Sequence, residues 1–292
     1  MFVEDLIGNT PLVEVRHINT NTNVKIYCKL EGQNPGGSVK DRAAYGMING
    51  ALKRGDIKKG DKLVEATSGN TGIALAMISR LLGLEMNLIM PDSATAERVK
   101  SMEAYGAKVI LTPAEKTIEY SRKVAEEMAE SNEYFMLNQF ANPDNYKAHY
   151  TTTGPEIYKD TNGEITHFVS AMGTTGTIMG VSKYLKEQNP KIEIVGTQPT
   201  DGSKIPGIRR WSPEMVPDIF DASHVDTVLD VSQEEATAMA RRMAKEEGIL
   251  AGMSSGGALT AAIKLANKLD SGTIVCITCD RGDRYLSTDL FE

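Results

Sequence analysis

A single lysine, Lys40, stands where its charge is least expected. It follows a turn-forming run, residues 34–38 (NPGGS), at the point where a helix should begin. Helix N-termini carry partial positive charge, so the helix and any burial would both disfavour the ammonium form of the side chain. A lysine with a lowered pKa can act as an amine nucleophile toward an aldehyde. The alternative is a solvated lysine on a helix that Ser38 caps, with Asp41 completing a capping box.

Two loops combine glycine with hydroxyl or amide side chains, and each opens a predicted helix. Residues 173–177 read GTTGT after a predicted strand, so free backbone N–H groups and hydroxyls could surround a phosphate. Residues 67–72 read TSGNTG and could hold a carboxylate in the same way. Either loop could instead be a tight turn with ordinary helix capping. Together with Lys40, the two loops indicate a phosphorylated aldehyde cofactor, pyridoxal phosphate, and an acid substrate.

Other motifs give weaker predictions. Residues 252–256 (GMSSG) match the nucleophile elbow of α/β-hydrolases, with Ser254 as nucleophile, but in that fold the catalytic histidine follows the serine. All four histidines precede Ser254; they are His17, His149, His167 and His224. We therefore reject a hydrolase. Cys276 and Cys279 form a C-x-x-C inside an apolar run that predicts a buried strand, where residues three apart face opposite sides. Neither a redox pair nor a metal site is predicted.

Alternating strands and helices would position these loops. The pattern of strand, loop and helix recurs through residues 62–131 and again through residues 167–278. It predicts the α/β fold class, with two open, mostly parallel sheets covered by helices. Ligands bind at the carboxyl ends of strands in such sheets, so we expect the loops to converge on one cleft.

The two series of elements also predict two domains. We expect an N-terminal α/β domain at residues 36–148, which carries a mobile substrate loop. A C-terminal α/β domain at residues 149–292 would carry the phosphate loop. We expect residues 1–35 to pack with the C-terminal domain, and the cleft to lie between the two domains.

Composition limits the possible partners. The chain has 292 residues, 41% hydrophobic and 24% charged, which is typical of soluble globular proteins. Its net charge of -7 and the lack of a dense Lys/Arg run argue against a nucleic-acid partner. The N-terminus shows no secretory signal, and the longest apolar run, residues 73–84, is too short and too interrupted to span a membrane. We expect a cytoplasmic protein.

Taken as a set, the motifs resemble one family. NPGGSVKDR, TSGNTG, QFANP, GTTGT and GMSSGG occur in the order found in the cysteine synthase family, which has the fold type II pyridoxal-phosphate architecture, like the tryptophan synthase β chain. The resemblance covers nearly the whole chain. Residues 205–211 (IPGIRRW), 279–288 (CDRGDRYLST) and 145–158 are similar to the B-type group of that family.

The resemblance implies a role for each motif residue. Lys40 would form the Schiff base with pyridoxal phosphate, Asn70 would bond the cofactor's ring hydroxyl, and Ser254 would face the pyridine nitrogen. The implied phosphate-binding residues are Gly173, Thr174, Thr175, Gly176 and Thr177. The implied substrate-carboxylate residues are Thr67, Ser68, Thr71 and Gln139.

The implied reaction is a β-replacement. O-acetyl-L-serine and sulfide would give L-cysteine through an aminoacrylate, with Lys40 as general base. For the B-type, thiosulfate is also implied as sulfur donor, giving S-sulfocysteine. Arg209, Arg210 and Arg281 could attract that anion, or could simply form structural ion pairs.

Other reactions remain open at this point. The same motifs would serve a cysteine desulfhydrase, a cystathionine β-synthase or a serine/threonine dehydratase, since small changes in the pocket decide among them. A non-catalytic binding protein is disfavoured by the intact Lys40 and phosphate loop. Family members are commonly homodimers, so the resemblance implies a homodimer.

Overall fold

The computed structural model describes all 292 residues. It contains ten strands, nine α-helices and short 3₁₀ helices between them. The strands are β1 (Leu12–Glu14), β2 (Val24–Leu30), β3 (Lys62–Ala66), β4 (Glu85–Pro91), β5 (Lys108–Thr112), β6 (Tyr134–Met136), β7 (His167–Ala171), β8 (Glu193–Pro199), β9 (Thr227–Val231) and β10 (Gly272–Thr278). The helices are α1 (Lys40–Arg54), α2 (Asn70–Leu81), α3 (Ala96–Ala104), α4 (Thr117–Glu130), α5 (Pro143–Thr151), α6 (Thr153–Asp160), α7 (Gly176–Gln188), α8 (Gln233–Glu247) and α9 (Met253–Ala266).

Two sheets organise these elements. One has six strands in the order β1-β2-β10-β7-β8-β9, in which only the β1–β2 pair is antiparallel. The other has four parallel strands in the order β5-β4-β3-β6. The predicted α/β class with two mostly parallel sheets is confirmed. The first two strands of the chain, β1 and β2, lie in the sheet that the second half of the chain builds.

Central strands have the sequences expected of parallel strands covered on both faces. β4 reads EMNLIMP and β10 reads GTIVCIT, and all residues after the first of β4 and the first two of β10 are buried. Their flanking helices α2 and α9 are apolar around most of their circumference for the same reason. None of the helices combines the length and apolar character that a membrane crossing requires.

The structure differs from the sequence prediction at several elements. The patterns above do not indicate β1, β2, β6, β9, α5, α6 and α8. β1 and β6 have only three residues each, too few to show a period. α8 carries a readable signal, because Ser232 and Glu235 form a capping box at its start. Helix α9 begins inside the GMSSG motif, at Met253, so Ser254 lies in the first helical turn.

A buried ion network anchors α1 two residues after Lys40. The Arg42 guanidinium donates two hydrogen bonds of 2.7 Å to Glu31 and bonds of 2.7 and 2.8 Å to Glu156 on α6. Lys29 on β2 lies 3.0 Å from Glu156 as well. Burial alone would raise the pKa of Glu31, but the Arg42 charge lowers it overall. The network therefore fixes the first turn of α1 to β2 and α6.

Breaking this network should unfold the protein more easily. We expect Glu31→Ala to lower the free energy of unfolding by about 3 kcal/mol, because it leaves the buried Arg42 charge only partly paired. The matched control is Glu246→Ala at the exposed Arg242–Glu246 pair, with an expected loss of at most about 0.5 kcal/mol. Urea unfolding measures both values. Equal losses in the two variants would contradict the assigned role of the network.

Candidate functional site

One cavity of about 340 Å³ lies where the two sheets meet. Its walls come from the segments that follow β3 in one sheet and β7 and β10 in the other, at the carboxyl ends of the strands. Thirteen of the fourteen residues predicted for the site line this cavity. They are Lys40, Thr67, Ser68, Asn70, Thr71, Gln139, Gly173, Thr174, Thr175, Gly176, Thr177, Arg209 and Ser254. The exception is Arg210.

Lys40 is the first residue of α1 and lines the cavity. Burial lowers the pKa of its amine from the ordinary value, and the neighbouring Cys279 and Asp280 act in the opposite direction. The predicted capping box is wrong, because the Asp41 carboxylate accepts from the Gly36 N–H at 2.5 Å and not from the capping position. Ser38 Oγ does accept from the Lys40 backbone N–H, at 3.2 Å.

The 173–177 loop leads into the N-terminus of α7. A helix start leaves backbone N–H groups without intrahelical partners, and here they open onto the cavity. Thr175 adopts a left-handed conformation with φ 69°, which is uncommon for a β-branched residue. A Cβ on Gly173 would lie 2.6 Å from the Gly207 carbonyl oxygen, so the close approach requires glycine. The loop fits a phosphate group.

The 67–72 loop is joined to the segment after β6. Thr71 Oγ1 donates to Gln139 Oε1 at 2.9 Å, which places these two predicted carboxylate-site residues side by side. The Glu65 carboxylate accepts the backbone N–H groups of Asn138 at 3.0 Å and Gln139 at 3.5 Å. Burial raises the pKa of Glu65 to about 7. Glu65 therefore holds the turn that presents Gln139.

Asn145, on α5, joins the segment after β6 to the 173–177 loop and was missed in the sequence analysis. Its Nδ2 donates to the Gln139 carbonyl at 2.7 Å and to Thr174 Oγ1 at 3.2 Å. The side chain packs against Gly176, where any Cβ would overlap it. No sequence pattern distinguishes this asparagine from others, since its role depends on bringing together segments about 30 residues apart.

His149 contacts the 173–177 loop from outside the cavity lining. Its Nε2 lies 3.3 Å from Thr177 Oγ1, and its Nδ1 lies 2.8 Å from Thr153 Oγ1. Burial, followed by the Arg42 charge, lowers the pKa of His149 to about 3. The imidazole is therefore neutral at physiological pH, and one of its two ring nitrogens can act as an acceptor.

The neighbouring arginines Arg209 and Arg210 point in different directions. Arg209 lines the cavity, with its guanidinium carbon 5.5 Å from the centre of the Trp211 ring. Arg210 turns away, and its guanidinium pairs with Asp230 at 2.6 Å and Asp201 at 3.2 Å. Its predicted place in the substrate site is therefore not found. Arg281 also lies outside the cavity lining and pairs with Asp283 at 3.3 Å.

The two cysteines of the C-x-x-C lie in different surroundings. Cys276 is buried on β10, with its sulfur 3.6 Å from that of Cys28. Cys279 follows the end of the strand and lines the cavity, so its predicted place inside the strand is wrong. Burial raises the pKa of Cys279 to about 11, which keeps the thiol protonated at neutral pH.

Comparison with known proteins supplies the family. A family model described as "Pyridoxal-phosphate dependent enzyme" matches residues 3–280. The chain is 56% identical over 290 residues to cysteine synthase B of Pseudomonas aeruginosa. The matched region covers 99% of this chain and 97% of that protein.

Solved structures agree with this match. O-ureido-L-serine synthase superposes with a TM-score of 0.94 at 36% identity, covering 100% of this chain and 95% of the other. A cysteine synthase from Entamoeba histolytica superposes with a TM-score of 0.94 at 39% identity, covering 99% and 90%. Because the family model matches nearly the whole chain, this protein belongs to the family of pyridoxal-phosphate dependent enzymes.

Proposed function

We propose that this protein is a pyridoxal-phosphate-dependent cysteine synthase of the B type, which makes L-cysteine from O-acetyl-L-serine and sulfide. One observation supports the proposal: a single cavity is lined by Lys40, by a glycine- and threonine-rich loop at the start of α7 and by a second polar loop at the start of α2. The identity of 56% to cysteine synthase B of Pseudomonas aeruginosa supports it.

The cavity residues fit pyridoxal phosphate. The 173–177 loop would hold the phosphate, Ser254 would face the ring nitrogen, Asn70 would bond the ring oxygen, and Lys40 would bind the aldehyde carbon. When bound, the cofactor draws electrons from Cα of the amino-acid substrate, which makes the α-proton acidic and allows the β-substituent to leave. A neutral serine beside the ring nitrogen moderates this electron demand, which favours β-substituent loss over transamination.

The protein's own residues would then direct the reaction. With cofactor and substrate bound, the Lys40 amine would take the α-proton as general base. Burial lowers the pKa of this amine, which favours its basic, neutral form. Thr67, Ser68, Thr71 and Gln139 hold the substrate carboxylate, so that the Cα–H bond faces Lys40. The resulting Lys40 ammonium would then return the proton to Cα.

Product analysis tests the proposed reaction. With O-acetyl-L-serine and sulfide, we expect one cysteine and one acetate for each substrate consumed. Lys40→Ala should lower the rate by at least about a hundredfold, since it removes the general base. Chromatography of the products measures both. Release of sulfide from cysteine without cysteine synthesis, or formation of cystathionine from homocysteine, would replace the proposal with one of the alternative reactions.

We propose that thiosulfate also serves as a sulfur donor and that Arg209 attracts it. Arg209 is the only one of the three candidate arginines that lines the cavity. Glu119 and Arg122 also line the cavity, so its lining carries charges of both signs. Arg209 adds a positive charge that would attract the anionic donor.

The two adjacent arginines provide a matched pair of variants. We expect Arg209→Ala to lower kcat/KM for thiosulfate by about tenfold relative to the value for sulfide, since a lost charge contact is worth about 1.4 kcal/mol. Arg210→Ala should leave this ratio unchanged, because its guanidinium pairs with Asp230 and Asp201. The assay is S-sulfocysteine formation. Equal effects of the two substitutions would remove Arg209 from the proposed role.

We also propose the domain division 36–148 and 149–292, with residues 1–35 packed on the second domain, and a cytoplasmic homodimer. Packing of β1 and β2 into the six-stranded sheet supports the placement of residues 1–35.

The exposed apolar side chains of Met1, Phe2 and Leu6 support a partner surface for the homodimer at the N-terminus. Light scattering that gives the 31.8 kDa mass of one chain would contradict the homodimer.

A further inference from the structure

The segment after β10 returns to the turn that precedes Lys40. The Val39 N–H donates to the Cys279 carbonyl at 2.8 Å, and the Arg281 N–H donates to the Gly37 carbonyl at 3.4 Å. Ser38 and Asp280 form an isolated antiparallel bridge between these two contacts. The backbone of residues 279–281 is therefore paired with the turn that ends in Lys40.

Side chains of this segment hold both ends of the Asn70 amide. Asn70 Nδ2 donates to Asp280 Oδ2 at 2.7 Å, and Asn70 Oδ1 accepts from Arg284 Nη1 at 2.5 Å. A carboxylate only accepts and a guanidinium only donates, so the two partners determine which way the amide faces. Tyr285 also donates to Asp280 Oδ2 at 2.7 Å and holds the carboxylate in place. Asp280 is 1% exposed, so water does not compete for its oxygens.

Arg284 connects Asn70 to the turn as well. Arg284 Nη2 donates to the Gly36 carbonyl. The Gly36 N–H in turn donates to Asp41 Oδ2 at 2.5 Å. A Cβ on Gly36 would lie 2.6 Å from Asp41 Oδ1, and a Cβ on Gly37 would overlap the Arg284 guanidinium. The two glycines before Lys40 thus leave room for the Asp41 and Arg284 side chains. The Arg284 guanidinium therefore bonds both Asn70, which lines the cavity, and the turn that ends in Lys40.

We propose that Arg284 and Asp280 are positioning residues that direct one amide N–H of Asn70 into the cavity and keep Asn70 in register with Lys40. Only one of the two N–H groups is used by Asp280, and the second is free to donate to the ring oxygen of the cofactor. Donation to that oxygen favours its ionised form, and the Arg284 charge on Oδ1 strengthens the donor. This inference rests on the proposed cofactor. Arg284 lies beyond residues 3–280, which the family model matches.

The absorption spectrum of the bound cofactor tests the proposal. Its long-wavelength band reports an ionised ring oxygen and its near-ultraviolet band a neutral one. We expect Arg284→Lys to lower the ratio of the two bands by about threefold to tenfold at fixed pH, the scale of one weakened hydrogen bond to a charged group. Lysine keeps the charge but cannot bridge two acceptors as the planar guanidinium does. The control is Arg281→Lys, whose exposed side chain pairs only with Asp283.

The same measurement in an Asn70→Ala background separates positioning from a general structural effect. If Arg284 acts through Asn70, Arg284→Lys changes the ratio in the wild-type background and has no further effect in Asn70→Ala. An unchanged ratio in the wild-type background, or an equal change in both backgrounds, would overturn the proposal. Asp280→Asn provides a second variant should Arg284→Lys fail to fold, with the same expected direction. A wild-type protein without a cofactor spectrum would instead contradict the proposed function.

Discussion

Removal of water from around the Lys40 amine is the interaction on which the rest of the site depends. An ammonium group in water is stable, and a neutral amine at physiological pH requires an environment that disfavours the charge. The helix start at Lys40 and the burial of its amine act in this direction. Cys279 and Asp280 oppose the effect of burial but do not reverse it. Such an environment must be held firmly, since a mobile lysine would reach solvent.

Two sets of contacts hold the surroundings of the Lys40 amine in place. On one side, Arg42 ties the first turn of α1 to Glu31 and Glu156 through buried charge-assisted hydrogen bonds. On the other, the segment after β10 pairs with the turn before Lys40. Asn145 performs a comparable task for Gln139 and the 173–177 loop, because its one amide group reaches both. The cavity is thus assembled by side chains from distant parts of the sequence.

Because distant parts of the chain assemble the cavity, the sequence predicts some of its residues and not others. Local signals identify the parallel strands, the polar loops at their carboxyl ends and the lysine at a helix start, and thirteen predicted residues meet in one cavity. Arg210 was misplaced because neighbouring arginines look alike until Asp201 and Asp230 are seen beside one of them. Asn145 and Arg284 were missed because their hydrogen-bond partners lie far away along the chain. Tertiary contacts, and not residue type, define these roles.

We propose that Lys40, and no other lysine, is the amine that binds the aldehyde. Treatment of the holoprotein with sodium borohydride makes a bond between a lysine amine and an aldehyde permanent, and peptide mass spectrometry then locates it. We expect one cofactor-derived group per chain, on the peptide that contains Lys40. A label on another buried lysine such as Lys29, or labels spread over surface lysines, would contradict this role of Lys40.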